Sequence, residues 1–355
     1  MASLQTLRVQ TGAFNIIKNR SKLPMSILAA IHNVQITDEL NVPTMFSFTL
    51  NMVSQTGSGG FQEVDLDVFK PGDQITIFLG LDSLDQLVSG DITAIEPSYS
   101  TQSSSATIRG FDRMYRLKFG KQTRTYTALS DNDIVAEVAQ SAGLVVKLNG
   151  SPGVINDYVL QNNISNYQFL LERCRQLNYE MMMDDTTLVF RPSAEGNSPV
   201  KNLNYPRDLS DVNLNLKLPT QGDQVTAVGY DIATNTVLKA VASSATPQDK
   251  MGGTETGYQA ADDFPGSGIT IPCPAISNPQ ALQAVADAQY QRNLKNFIDG
   301  DASLKGDSAL VAGVNVKITG LSTRFDGIYY VYSSSHSYDD SSGYKTSIKI
   351  RRTGV

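Results

Sequence analysis

Apolar and polar residues alternate with a period of two near both ends of the chain, most sharply between Ala309 and Arg352. Val314, Val316 and Ile318 alternate with Asn315, Lys317 and Thr319, so one face of a strand carries β-branched side chains. Asp326-Gly327 makes a turn, Ile328 to Ser334 is aromatic and β-branched, and Asp339 to Gly343 makes a second turn. Tyr344 to Arg351 alternates again through Thr346, Ile348 and Ile350. This pattern predicts a three-stranded meander.

The cadence has an earlier echo. Pro71 to Gly80, PGDQITIFLG, matches Ala312 to Gly320, AGVNVKITG: a turn residue and Gly, alternating β-branched residues, then a closing Gly. Gly90 to Arg113 likewise parallels Gly327 to Arg352 as strand, Ser-rich tip, and strand ending in Arg. Two readings stay open: a duplicated β unit, or the alternation that any two antiparallel meanders share.

Between these units the periodicity changes. FNIIKN precedes Pro24, LRVQTG before it also reads as a short strand, and Ile27 to Thr37 and Met45 to Val53 read as strands around a turn at Asn41-Val42-Pro43. Gln55 to Gly60 is a polar tip, and the strands from Gln74 onward complete an antiparallel barrel or sandwich over residues 1–118. Ser130 to Asp133 caps a helix with the stripe Ile134, Val135, Val138 and Ala139, which Gly143 ends. Val145 to Leu148 is a strand. Ser165 caps a helix from Asn166 to Leu177, and a hairpin follows through Tyr179 to Met183, Asp184-Asp185-Thr186 and Leu188 to Phe190, making residues 119–203 an α+β module. Over 204–355, Val212 to Leu218 and Gln224 to Val241 return to strand patterns. Residues 242–276 read as a long surface loop, and residues 277–298 as a helix capped at Ser277-Asn278-Pro279, with Leu282, Val285, Ala286, Gln289, Tyr290 and Leu294 inward.

Composition narrows the function classes. The chain of 355 residues has 41% hydrophobic and 18% charged residues and a net charge of -6, which offers no basic surface for nucleic acid or acidic lipid. No apolar run approaches the ~20 residues of a membrane span, and the first residues lack the basic-then-apolar order of a secretion signal. Cys174 falls in a helical pattern, and its expected role is that of a small buried hydrophobe; no disulfide to Cys273 is expected.

The sequence is poor in chemistry. His32 and His336 are the only histidines and both lie in strand patterns, which argues against a His-based triad or metal site. There is no CxxC, P-loop or dinucleotide fingerprint. Asp184-Asp185 and Asp339-Asp340 are carboxylate pairs of the kind a glycosidase uses, but both sit at hairpin tips, where Asp forms turns. Asp65, Asp67 and Asp73 do not match calcium-loop spacing. Met181-Met182-Met183 reads as core with one face free for a partner, and Tyr329, Tyr330 and Tyr332 as structural aromatics. Lys121, Arg124, Lys349, Arg351 and Arg352 read as solvated strand ends, with a subunit salt bridge as the alternative. No catalytic, cofactor or metal residue is assigned, and no cofactor is expected.

The order of these elements, with FKPGDQITIFLG, LVSGDITAIEPSYS, ATIRGFDRMYRLKFGKQTRTY, ISNYQFLLERCRQLNYEMMMDDTTLVFRP and GIYYVYSSSHSYDDSSGYKTSIKIRR, resembles the phage late control gene D family. That family includes baseplate hubs of contractile tails and the hub portion of VgrG spikes. The resemblance covers nearly the whole chain. It implies a mainly β fold with an α+β insertion: two tandem tail-tube-like antiparallel β-barrels, a small α+β module and one long helix. It also implies a homotrimer that joins a sixfold inner tube, or its initiator protein, to a threefold spike and contacts other baseplate proteins. VgrG chains continue into a spike, so the spike is expected here as a separate chain. The resemblance implies a protein made in the bacterial cytoplasm and built into a phage tail or injection particle, without catalysis, nucleic-acid binding or membrane insertion. The alternatives from other classes are a carbohydrate or cell-wall hydrolase and a glycan-binding module.

Overall fold

The protein is described by a computed structural model that covers residues 12–55, 61–101, 103–218, 223–261, 268–295 and 297–355. Of the strand expected at LRVQTG only Gly12 is described, and of the tip expected at Gln55 to Gly60 only Gln55, which ends a short strand; the rest lies outside the described residues.

The N-terminal part contains β1 (Ala13–Lys18), β2 (Ser21–Lys22), the short helix α1 (Met25–Leu28), β3 (Ile31–Glu39), β4 (Val42–Asn51), a small hairpin of β5 (Val53–Gln55) and β6 (Phe61–Glu63), β7 (Gln74–Gly80), β8 (Asp85–Tyr99) and β9 (Ser104–Asp112). Alternation fixes which side is buried: Val34, Ile36, Phe46, Phe48 and Leu50 point inward and are essentially inaccessible. Each such side chain contributes roughly 1.5–3 kcal/mol of apolar burial. Two details differ from the sequence reading. The strand expected from Ile27 starts only at Ile31, because Pro24 opens one turn of helix before it. The turn is made by Leu40 and Asn41, the latter at φ 64°, and Val42 and Pro43 already belong to β4.

A 3-10 turn at Arg113–Lys118 leads into the module: β10 (Gln122–Ser130), α2 (Asp131–Ser141), β11 (Val145–Leu148), β12 (Ile155–Ile164), α3 (Asn166–Leu177), β13 (Tyr179–Asp184) and β14 (Thr187–Pro192). Ser130 and Asp133 form a reciprocal capping box on α2, and Ser165 accepts from Gln168 N–H at 3.2 Å to cap α3. The helices pack on the β11-β14-β13 sheet, while β10 and β12 form a separate two-stranded ribbon. The ribbon has no counterpart in the sequence reading. Its inward positions include the fully buried Gln161 and its outward ones the exposed Ile155, Tyr158 and Leu160, so alternation there does not report burial.

The C-terminal part contains β15 (Lys201–Asn204), β16 (Asp211–Leu216), β17 (Val225–Asp231), β18 (Thr236–Ala242), β19 (Ile269–Pro272), α4 (Pro279–Leu294), β20 (Ile298–Lys305), β21 (Val314–Thr319), β22 (Gly327–Asp339) and β23 (Gly343–Arg352). Three expectations are corrected here. The strand pair at 224–241 is not part of the large sheet: β17, β18 and β19 form their own sheet, backed by Leu282, Ala286, Tyr290 and Leu294 of α4. The helix ends at Leu294 rather than at residue 298, since Phe297 and Ile298 are pulled into the core beside β20. Residues 242–276 are not only surface loop. They include β19 and bury Met251, Thr256 and Ala261, single anchors that leave no periodic trace. Thr254 N–H and Glu255 N–H both donate to Val355 O, so the segment also holds the C-terminal residues.

The two large β units share one connectivity. The N-terminal order is β1-β7-β8-β9-β4-β3, and the C-terminal order is β15-β21-β22-β23-β20-β16, so strands fall into corresponding pairs in chain order. The match extends to irregularities. Thr93 is skipped in the β8–β9 ladder and Tyr332 at the same place in β22–β23. Gly72 N–H donates to Ile92 O and Gly313 N–H to Val331 O, both at 2.8 Å and both from glycines near φ +90°. One departure is that β1 runs antiparallel to β7, whereas β15 runs parallel to β21. Agreement in order, register and bulge position supports duplication over the alternation common to all meanders.

Candidate assembly surfaces

The two units are fused by one strand. Along the same edge, β22 pairs first with β21 through Gly327–Val331 and then with β3 through Ser333–Asp339. The result is one 13-stranded sheet over two cores. The tip of the β22–β23 hairpin therefore belongs physically to the N-terminal unit, where Tyr338 lies 4.9 Å from Phe14 and Tyr344 joins the first core.

The α+β module is seated on the seam. Asn41 Oδ1 accepts from Met181 N–H at 2.8 Å, Asn41 N–H donates to Met181 O, and Tyr167 Oη–H donates to Asn41 O at 2.8 Å. On the other side Tyr330 Oη–H donates to Glu180 at 2.6 Å and Arg191 donates to Gly313 O at 2.7 Å. Arg351 bonds Glu195, Lys295 lies 3.3 Å from the same carboxylate, and the Arg351 guanidinium stacks over Tyr330 and Tyr332. Burial alone pushes Glu195 up, but Arg351 and Lys295 outweigh it and hold the carboxyl below its usual range. Burial, helped by the Glu180 charge, moves the Tyr330 phenol well above its ordinary value, so it remains a donor.

This seam accounts for several residues the sequence left open. Arg351 and Arg352 are not solvated strand ends: Arg351 joins the ionic cluster, and Arg352 is buried, donating to Asp326 O at 3.0 Å. Of the methionines, Met181 is in the module core, Met183 lies against it, and Met182 turns the other way into the seam beside Leu40, Ala312 and Tyr330. Tyr329 and Tyr330 are fully buried. Arg124 pairs with Glu137 at 3.0 Å, and Lys121 and Lys349 are exposed.

The remaining candidates serve local structure. His336 is buried with Nδ1 2.8 Å from Tyr344 Oη and 3.2 Å from Thr346 Oγ1, and desolvation pushes its pKa down to about 4. His32 lies at the start of β3, where its carbonyl accepts from Asp340 N–H. Asp339 accepts from Ser341 N–H at 2.9 Å, Asp185 stands in a turn at φ 53°, Asp65 accepts from Asp67 N–H at 2.9 Å, and Asp73 pairs with Lys18. Cys174 is buried and its thiol is pushed far up; it and Cys273 are free. Among the described residues no group of three or more His, Cys, Asp or Glu is placed to hold a metal, and no helix is long and apolar enough to cross a membrane.

Two features were not legible in the sequence. A cleft of about 300 Å³ lies between β12, α3 and the start of α4, walled by Tyr158, Leu160, Val285 and the Asp131–Arg173 ion pair. A carboxyl pair, the half-buried Asp38 and the buried Asp112, brackets Thr44, whose N–H donates to Asp112 at 2.8 Å and whose hydroxyl donates to Asp38 at 3.0 Å. Desolvation dominates there, raising Asp38 and pushing Asp112 up to about 7.

The whole fold is shared with phage tail proteins and a component of type VI secretion. It superposes on the 43 kDa tail protein of prophage MuSo2 from Shewanella oneidensis with TM-score 0.72 and 13% identity, covering 96% of this chain and 98% of that one. The tail protein from Neisseria meningitidis gives 0.70 and 12% identity, covering 96% of both chains. The E. coli type VI secretion component described as similar to the T4 tail proteins gp27 and gp5 gives 0.60 and 12%, covering 96% of this chain and 77% of that one. By sequence, no curated protein matches. The chain belongs to the family of the Alg8 N-terminal domain, whose model matches residues 9–340.

Proposed function

We propose that this protein is a structural hub of a contractile tail or injection particle, a homotrimer that joins a sixfold tube to a threefold spike. The observation that carries this reading is the duplicated sheet: β1-β7-β8-β9-β4-β3 and β15-β21-β22-β23-β20-β16 are two copies of one connectivity fused into one surface. Three such chains present six similar units, which is what a contact between sixfold and threefold partners requires. The shared fold with tail proteins and a type VI secretion component supports the same assignment.

The chain works by binding and acts without catalysis. Its perturbed groups Glu195, Tyr330, Asp112 and His336 are held by hydrogen bonds or ion pairs within the seam and the cores. Electron microscopy of the purified oligomer tests the proposal. Class averages with six similar lobes around a channel support it; a compact particle without a channel, or hydrolysis of cell-wall sugars by the chain, contradicts it.

A further inference from the structure

The fused seam between the two units has an unfilled counterpart. In the chain, Ser333–Asp339 of β22 pairs with β3: Ser334 opposite Asp38, His336 opposite Ile36, Tyr338 opposite Val34. The strand corresponding to β22 is β8, and the shared bulge sets the register, so Ala94, Pro97, Ser98 and Tyr99 correspond to Ser333, His336, Ser337 and Tyr338. The strand corresponding to β3 is β16. Through β4 and β20, which face Gly110 and Ile350 at the same step, Val34 corresponds to Val212, Gln35 to Asn213 and Ile36 to Leu214.

Among the described residues both counterparts are unpaired along the relevant edge: β8 beyond its pairing with β7 bonds only β9, and β16 bonds only β20. Their side chains differ accordingly. Val34 and Ile36 are fully buried, but Val212 and Leu214 are only half-buried. His336 is buried and Tyr338 half-buried, whereas Pro97 and Ser98 are exposed and Tyr99 is 72% exposed.

We infer that Ala94–Tyr99 of one chain pairs antiparallel with Val212–Lys217 of a second copy, repeating between chains the junction that β22 and β3 make within one. The register places Ala94 opposite Lys217, Ile95 opposite Leu216, Ser98 opposite Asn213 and Tyr99 opposite Val212. Glu96, which pairs with Arg109, then lies diagonal to Lys217, which pairs with Asp299, so the charges of the two edges alternate in sign across the junction. Two exposed sheet edges are thereby covered by the contact that removes them most fully, another strand. Pro97 donates no N–H, which takes one bond from this ladder and tilts specificity toward the side chains. The contact is head-to-tail, so successive copies close into a ring or extend without limit, and the hub reading requires closure. The inference rests on that reading only for the number of copies.

Cysteine pairing tests it in the full-length chain. In a Cys273→Ser background, Ser98→Cys with Asn213→Cys are oxidised at high protein concentration; both positions are exposed. The internal control is Ser337→Cys with Gln35→Cys, opposite each other within one chain. The inference predicts cross-linked bands at multiples of the chain mass that are absent from either single variant, and a control that closes without them. An oligomer that forms without the cross-link overturns this junction and leaves the hub reading standing. A ladder growing without limit supports the junction and contradicts the closed hub. A chain that remains monomeric and uncross-linked overturns both. The chain contains no tryptophan, so Tyr99→Trp gives a second readout: its emission shifts to the blue with rising concentration if the residue becomes covered, and an unchanged spectrum in a confirmed oligomer rejects the edge.

Discussion

Glu195 and Arg351 form an ion pair almost out of reach of solvent, at the point where the module, the end of α4 and the C-terminal sheet meet. Arg351 is the penultimate residue of β23, and Glu195 follows the last strand of the module, so the pair ties together segments that no hairpin or helix connects. A group in such a place is worth little as a salt bridge in isolation but costly to break, because the carboxylate then keeps only one of its two cations, Arg351 and Lys295, in a dry site.

Replacing Arg351 with Met leaves Glu195 with Lys295 as its remaining cation and is expected to cost about 1–3 kcal/mol. Adding Glu195→Leu should cost less than the sum of the two single changes, since the pair is then removed together and only Lys295 loses its partner. Urea unfolding of the two single variants and the double variant measures the coupling; additive effects would show that the seam is not the joint described.

The duplicated glycines give a sharper comparison. Gly72 and Gly313 share φ near +90° and the same hydrogen bond to the neighbouring strand. A Cβ at Gly72 meets nothing within 4 Å, while one at Gly313 falls 2.5 Å from Arg191 Nη2 and 3.0 Å from Met182 Cε. Gly72→Ala should cost about 1 kcal/mol, the backbone penalty alone. Gly313→Ala should cost more, by roughly a further 1–3 kcal/mol for overpacking the seam. Equal losses in thermal or urea unfolding would contradict this difference.

Two buried groups titrate in opposite senses. His336 falls from 6.5 to about 4, so the unfolded chain binds the extra proton in that window and stability is lost as pH falls through it. Asp112 rises from 3.8 to about 7, so the folded chain holds the extra proton and stability is lost as pH rises through that window. Each contributes about 1.4 kcal/mol per pH unit within its range. Relative to the unmodified protein, His336→Gln should make stability fall more steeply from pH 4.5 to 6.5, and Asp112→Asn should make it rise more steeply. Urea midpoints across that range check the signs, and parallel curves for all three proteins would refute them.

The sequence was most legible where one face of an element is dry and the other wet. The alternation of Val314, Val316 and Ile318 marks β21, and Ser165 with Phe169, Leu170 and Cys174 marks α3 from cap to core. It was least legible where partners come from far along the chain. Arg351 and Arg352 sit in an ordinary alternating strand, and nothing local signals that Glu195 and Asp326 wait for them. The ribbon of β10 and β12 failed for the opposite reason, since Gln161 is buried while Ile155 and Tyr158 are exposed. The echo of Pro71–Gly80 in Ala312–Gly320 was visible, but its meaning needed the strand order, because pairing between β22 and β3 leaves no mark in either strand alone.

Three copies of this duplicated chain closed into one hub have a definite solution mass, which light scattering on the purified chain reads. From the 38.5 kDa chain the account predicts a single species of about 115 kDa by light scattering, stable over a wide range of concentration. A mass that stays at that of one chain at every concentration, or one that grows steadily without a plateau, would contradict it.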